Sequence, residues 1–225
     1  MKKTFRTNTD IWEAIYKTGG AGALLKYPCE DFVVSLNRYC GGLKGAKLLY
    51  VGFGSGNNLL VAAEKGFDCY GVEVSASAVK IAHNRLKRAG LRARLSVIAD
   101  NRYPFPDDYF DVVVAWHVLS YNDHAGLQKS LLEIKRVLKP AGRLLATFPT
   151  YKEDRAARGR RIAANTFVYA NAGSNQAGAV ITAAKTKSAV RSIFKMFSGL
   201  ETGYSEITAK GITNSHWLIS GTKDE

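Results

Sequence analysis

Three glycines, Gly52, Gly54 and Gly56, alternate with single residues in LLYVGFGSGNNLL (residues 48–60), where an apolar run gives way to a helix-like pattern. A turn of this kind lets a ligand lie against bare backbone, and the following helix offers N–H donors to an anionic group. Further on, Glu73 closes the next apolar run, in GVEVSASAV. A carboxylate at a strand end can accept hydrogen bonds from two vicinal ribose hydroxyls. Asp100 follows a third run, in IADN, and His117 and Tyr121 follow a fourth, in AWHVLSYND. An imidazole, with its pKa near working pH, is the best base candidate of the group. The plainer alternative, that His117 packs under a ligand or caps a helix, stays open.

These residues need a scaffold that collects strand ends. Strands are expected at 46–51, 67–73, 93–98, 109–115 and 143–148, with helices from Gly56 to about 65, from a Ser75 N-cap to 89, and at 124–138. An earlier helix, 10–17, takes Asp10 as its N-cap. Alternation of strand and helix is the mark of a mostly parallel sheet with helices on both faces. The last third changes character. An amphipathic helix at 185–197 precedes two strand-like runs, 203–209 and 215–221, with Gly211 between them, so an antiparallel hairpin closes the sheet. Residues 149–184 show no clear period and read as a lid-like excursion over the top.

With 225 residues and no repeat or linker, one domain over 1–225 is expected, in which 1–45 form an N-terminal cover. The start, MKKTFRTNTD, has no apolar stretch of a leader, and no run approaches the roughly 20 apolar residues of a membrane helix. The three cysteines have no metal-type spacing, so a cytoplasmic location and no metal are expected. The net charge of +13 could signal a polyanion partner, but 21 basic and 13 acidic residues in 1–150 and 11 and 6 in 151–225 spread the excess along the chain.

A dinucleotide fingerprint would place its last glycine at 57, where the chain has Asn57. The G-x-G-x-G spacing instead resembles motif I of the class I S-adenosylmethionine-dependent methyltransferases, of the small-molecule type with a methyltransferase-11-like core. Glu73, the segment IADNRYPFPDDYFDVVVAWHVL (98–119) and LLEIKRVLKPAGRLLATF (131–148) resemble the family's later motifs in order. The resemblance covers about residues 10–148. It implies a Rossmann-like seven-stranded α/β fold and S-adenosyl-L-methionine as cofactor. It puts Gly52, Gly54 and Gly56 beside the methionine part and ribose, Glu73 on the ribose hydroxyls and Asp100 on the adenine amino group. Phe53, Asn57, Asn58, Val74, Asn101 and Trp116 complete the expected cofactor site. Tyr50 departs from the family's usual Asp or Glu, and its hydroxyl cannot supply the charge that an ammonium prefers.

In such a sheet, ligands lie beyond the carboxyl ends of the strands, so the acceptor is expected near His117 and Tyr121. Trp12, Tyr16 and Tyr27, from the N-terminal segment that covers the cofactor in many relatives, are expected either to help bind the acceptor or to pack in the core. The segment YKEDRAARGRR (151–161) carries five basic residues and two acidic ones. Its Arg155, Arg158, Arg160 and Arg161 either recognise a phosphate or carboxylate on the acceptor or form a solvated surface. The function expected is O- or N-methylation of a small anionic metabolite. Alternatives are an RNA methyltransferase and a non-catalytic cofactor-binding regulatory domain. The partner expected is a small-molecule acceptor, with a homodimer left open.

Overall fold

The computed structural model describes residues 7–18, 24–171 and 173–225, so parts of the expected N-terminal cover lie outside the described residues. Strands β1 (Lys47–Val51), β2 (Asp68–Glu73), β3 (Arg94–Val97), β4 (Phe110–Ala115) and β5 (Leu138–Pro149) form the parallel part of a seven-stranded sheet. β9 (Ser198–Ala209) and β10 (Ile212–Thr222) close it as the expected antiparallel pair, giving the order β3-β2-β1-β4-β5-β10-β9. Strand order reverses at β1, so a crevice opens where β1 and β4 end.

The period of two along β1 sorts its side chains onto two packed faces. Leu48 and Tyr50 join Val112 and Val114 beneath α2 (Glu30–Cys40), α3 (Asn57–Glu64) and α4 (Ala76–Arg88). Leu49 and Val51 join Val72, Val113 and Ala115 against α5 (His124–Val137) and α7 (Lys187–Ile193). Both faces are covered, which is why these strands read as unbroken apolar runs.

Four local expectations change. The expected N-terminal cover divides: α1 (Asn8–Thr18) lies over the crevice, whereas α2 buries Phe32, Leu36 and Cys40 against the sheet as a layer helix. Asp10 is not the N-cap of α1 but part of a reciprocal cap: its Oδ2 accepts from the Thr7 N–H at 3.0 Å, and its own N–H donates to Thr7 Oγ1 at 3.2 Å. Residues 139–142, between the expected helix 124–138 and strand 143–148, are absorbed into a longer β5 as an irregularity, with Ala141 at φ 58°. The 149–184 excursion is folded: α6 (Asp154–Ala157) precedes a three-stranded sheet of β6 (Arg160–Ala163), β7 (Thr166–Val168) and β8 (Val180–Thr182). This small sheet is tied down by Thr182 N–H to the Ser120 carbonyl and Ala184 N–H to that of Pro149. No described helix is long and apolar enough to cross a membrane.

Candidate functional site

Two adjoining cavities occupy the crevice, about 600 and 610 Å³ in volume. They share Trp12 and Tyr16 of α1, Gly52 after β1, and His117 and Tyr121 after β4. The first runs past Glu73, Val74, Asp100 and Asn101. The second runs past Tyr50, Phe53, Gly54, Asn57 and Trp116 and ends under Arg155 and His216. Most of the expected residues are thus gathered on one continuous space.

The glycine turn is required by its own backbone. Gly52, Gly54 and Gly56 all have positive φ, at 64°, 54° and 82°. A Cβ on Gly54 would stand 2.4 Å from the Tyr16 hydroxyl oxygen, so the bare backbone is what lets α1 approach. Gly56 is the N-cap of α3, and a Cβ there would press on Ala82 at 2.9 Å.

Glu73 is buried and held by three backbone donors: Gly54 N–H on Oε2 at 2.9 Å, with Val74 and Ser75 N–H on Oε1 at 2.8 and 3.2 Å. Burial pushes its carboxyl above the usual range, and the three N–H groups work against that. A carboxylate has about four acceptor positions, so one on Oε2 remains for a ligand hydroxyl. Asp100 is exposed, with Oδ1 on the Arg102 N–H at 3.0 Å, while Asn101 donates to the Gly126 carbonyl at 3.1 Å.

Tyr50 is buried and hydrogen-bonded within the protein. Its hydroxyl accepts from Asn58 Nδ2 at 2.9 Å, and Asn58 Oδ1 accepts the Cys29 N–H at 2.9 Å. Asn57 donates to the Tyr27 carbonyl at 2.9 Å, but the Tyr27 ring is 72% exposed and lines neither cavity. The expected role of Tyr27 at the acceptor therefore has no geometric basis. The Trp116 indole N–H is buried without a hydrogen-bond partner on the wall of the second cavity.

His117 has φ 55°, a left-handed conformation costly for a non-glycine residue, and its N–H donates to Thr147 Oγ1 at 2.8 Å. Its ring faces that of His216, with centroids 4.3 Å apart. Burial lowers the pKa of His117 to about 4, with Asp31 acting upward and Arg155 downward, rather than leaving it near working pH as expected. Burial also pushes His216 well below its ordinary value, with His117 and Arg155 adding to that. Both imidazoles are neutral at neutral pH.

The four arginines separate. Arg155 reaches the second cavity, with Nε at 2.8 Å and Nη2 at 2.5 Å from Glu153 Oε1, and Nη1 donating to Tyr121 Oη and Gln176 Oε1. Arg158, Arg160 and Arg161 line neither cavity, which corrects their expected place at the acceptor. Arg158 pairs with Asp154 at 2.8 Å and donates to the Gly211 carbonyl, whereas Arg160 and Arg161 lie exposed on β6.

Sequence reasoning missed Asn8, Glu13, Asp31 and His216. Asn8 bridges the Tyr121 and Val180 carbonyls at 2.7 and 3.1 Å, and Glu13 accepts from the Ser75 and Ser77 hydroxyls at 2.7 and 2.6 Å, so together they dock α1. Asp31 lines the second cavity. Among the described residues no cluster of three His, Cys, Asp or Glu side chains could hold a metal.

Comparison with known proteins agrees with this geometry. Residues 49–146 match the family model described as a methyltransferase domain. Among curated relatives, the demethylmenaquinone methyltransferase of Tropheryma whipplei is 34% identical over 106 residues, 47% of this chain and 42% of that protein. The chain thus spans less than half the length of that relative. Among solved structures, an S-adenosylmethionine-dependent methyltransferase of Methanosarcina mazei superposes with TM-score 0.71 at 19% identity, over 84% of this chain and 97% of that one. The 1,6-didemethyltoxoflavin-N1-methyltransferase of Burkholderia thailandensis, solved with 1,6-didemethyltoxoflavin and S-adenosylhomocysteine, gives 0.70 at 15%, over 96% and 87%. At these identities the structures speak for the fold.

Proposed function

We propose that this chain, whose residues 49–146 are a methyltransferase domain on the class I S-adenosylmethionine-dependent fold, transfers a methyl group from S-adenosylmethionine to a small-molecule acceptor. The observation that carries the reading is the pair of cavities meeting at Gly52, Tyr16 and His117. The first is suited to a nucleoside, and the second to the cofactor's amino-acid end with an acceptor beside it.

The donor set fits the cofactor. Glu73 keeps an acceptor position for a ribose hydroxyl, and Asp100, Asn101 and Val74 line the adenosine end. The glycine turn gives close access to the amino-acid end, where Phe53 and Trp116 form the wall. Bound there, S-adenosylmethionine supplies a methyl group activated by its sulfonium. The protein's own task is to aim an acceptor atom at that methyl and to receive a proton where one is released.

His117 is the residue placed to receive it, from an oxygen or nitrogen of the acceptor. A bound sulfonium would disfavour protonation of His117, whereas a neutral sulfide in its place would not. A proton arriving on His117 therefore keeps the chamber's net charge unchanged. The wall of Trp12, Trp116, Tyr121 and His216 suits a flat, ring-bearing metabolite. Arg155 can orient it, but its charge is already matched by Glu153, so an anionic group on the acceptor is not required.

The test is calorimetric titration with S-adenosylhomocysteine followed by turnover of labelled cofactor with fractionated small metabolites. One binding site and label transferred to a small molecule are expected. Binding without transfer to any fraction would leave a regulatory cofactor-binding domain as the better account.

A further inference from the structure

The charge around the second cavity has the opposite sign from that suggested by the arginine-rich segment. Among the described residues, the charged side chains on its lining are Glu30, Asp31 and Arg155. Arg155 is matched by the buried Glu153, so this pair adds no net charge. What remains is negative. Glu30 is exposed, whereas Asp31 is half-buried and is the inner of the two carboxylates.

Asp31 is the second residue of α2, and its Oδ1 accepts the Phe32 N–H at 2.8 Å. Among the described residues nothing donates to its Oδ2. Two neighbours locate its charge. At His117, where burial dominates, Asp31 acts to raise the pKa, and at the Tyr50 hydroxyl, where burial again dominates, Asp31 adds to the rise. The carboxylate thus acts on the space between the glycine turn and the junction of the cavities.

The chain before α2 is pinned so that Asp31 stays there. Arg85 of α4 donates through Nη1 to the Leu25 and Ser55 carbonyls at 2.7 and 3.0 Å, and through Nη2 to the Lys26 carbonyl at 3.1 Å. Asn57 and Asn58 hold Tyr27 and Cys29 as described. One arginine and two asparagines therefore join residues 25–29 to the glycine turn and the first residues of α3.

The lining of the same cavity adds an independent observation. Trp116 is 3% exposed, its indole N–H has no hydrogen-bond partner, and its ring meets that of Phe32 edge-on at 5.5 Å. Asp31 and Trp116 thus both line one cavity, the first with an unmatched carboxylate and the second with a buried N–H that lacks a partner. A zwitterionic amino acid, with an ammonium for the first and a carboxylate for the second, is their complement.

We propose that Asp31 is the counter-ion for the ammonium of the cofactor's amino-acid end, supplying the charge that Tyr50 lacks. This rests on the cofactor reading above. Tyr50 keeps a structural task, holding Asn58 and through it the Cys29 N–H at the start of α2. The anion that meets the ligand then comes from α2 rather than from β1.

The experiment compares two probes by calorimetry: S-adenosylhomocysteine, and 5′-methylthioadenosine, which keeps the nucleoside and thioether but has no amino-acid group. Asp31→Asn should weaken S-adenosylhomocysteine roughly 10- to 100-fold, the size of a lost charge-assisted hydrogen bond, and leave methylthioadenosine unchanged. Unchanged methylthioadenosine binding also shows that the variant is folded. Glu30→Gln should change neither probe. Unchanged S-adenosylhomocysteine affinity in Asp31→Asn overturns the assignment, as does equal weakening of both probes, which would mean a structural role for Asp31 at the start of α2. Should the wild-type protein bind neither probe, the cofactor reading itself fails and the assignment with it.

Discussion

The rings of His117 and His216 lie 4.3 Å apart at a tilt of 35°, one after β4 and one on β10, at the wall of the second cavity. Both are neutral because burial opposes a charge, and each would make the other harder to protonate. Groups facing them include Asp31 from α2, Tyr121, and Arg155 beside Glu153. A folded-state pKa of about 4 for His117 lies below its ordinary 6.5, so the unfolded chain binds the proton more readily. Stability tied to this residue is present above pH 6.5 and is lost as pH falls towards 4, by up to about 3 kcal/mol. Thermal melts should therefore drop more steeply between pH 6.5 and 4 in the wild type than in His117→Gln. Equal slopes would show that burial does not hold the imidazole neutral.

Activity gives a second reading of the same pair. Loss of His117 to Gln should lower kcat about 100-fold or more on an acceptor that releases a proton and leave S-adenosylhomocysteine affinity within a few-fold. An unchanged kcat would assign the imidazole to packing.

Gly54→Ala should be costly for two reasons, a left-handed φ and the Tyr16 hydroxyl at 2.4 Å. About 1–2 kcal/mol comes from the backbone alone. Combining it with Tyr16→Phe should recover part of the stability lost, because the nearest clashing atom is the hydroxyl oxygen. Melts of the two single variants and the double variant check this, and additive losses would place the strain elsewhere.

Glu73→Ala should abolish measurable S-adenosylhomocysteine binding and cost about 1–3 kcal/mol of stability, since it leaves the Gly54, Val74 and Ser75 N–H groups without their shared acceptor. Calorimetry and denaturant titration separate the two effects.

The arginines should divide by position. Arg155→Ala leaves Glu153 buried without its partner and should destabilise by about 3–5 kcal/mol. Changing Arg158, Arg160 and Arg161 together to Ala should leave acceptor KM within about two-fold, because none lines the cavity. A gel shift against mixed RNA at several salt concentrations is the companion measurement. A steep salt slope in the wild type that flattens in the triple variant would revive the RNA reading.

The central sheet and its helices could be read from the sequence because apolar strand runs alternate with helical periods and are bounded by signals such as Gly56 and Ser75. Much of the lining of the first cavity could also be read, since Gly52, Glu73 and Asp100 lie at or just beyond strand ends whose place follows from the order of motifs. The small sheet over the crevice could not. Its strands are three and four residues long and bury little beyond Phe167 and Ile181, which is too short a span for alternation to appear. The helix α2 did carry a signal, with Phe32, Leu36 and Cys40 one turn apart, but lacked a Ser, Thr, Asp or Asn cap to mark its start. His216 meets His117 only through the antiparallel register that sets it opposite Pro149, and no local pattern announces that pairing. Basic density between 151 and 161 gave no means to tell Arg155, turned inward onto Glu153, from Arg160 and Arg161 on the outside.

Trp12 and Tyr16 stand in the walls of both cavities, on a helix fastened at one side by Asn8 to Tyr121 and Val180 and at the other by Glu13 to the first turn of α4. One door therefore serves two rooms. Lifting α1 would uncover both cavities in a single event, so on the proposed function the spent cofactor and the methylated product would share an exit. In steady-state kinetics, weakening either fastening, by Asn8→Ala or Glu13→Ala, would speed the departure of both products and cost protection of both ligands from water.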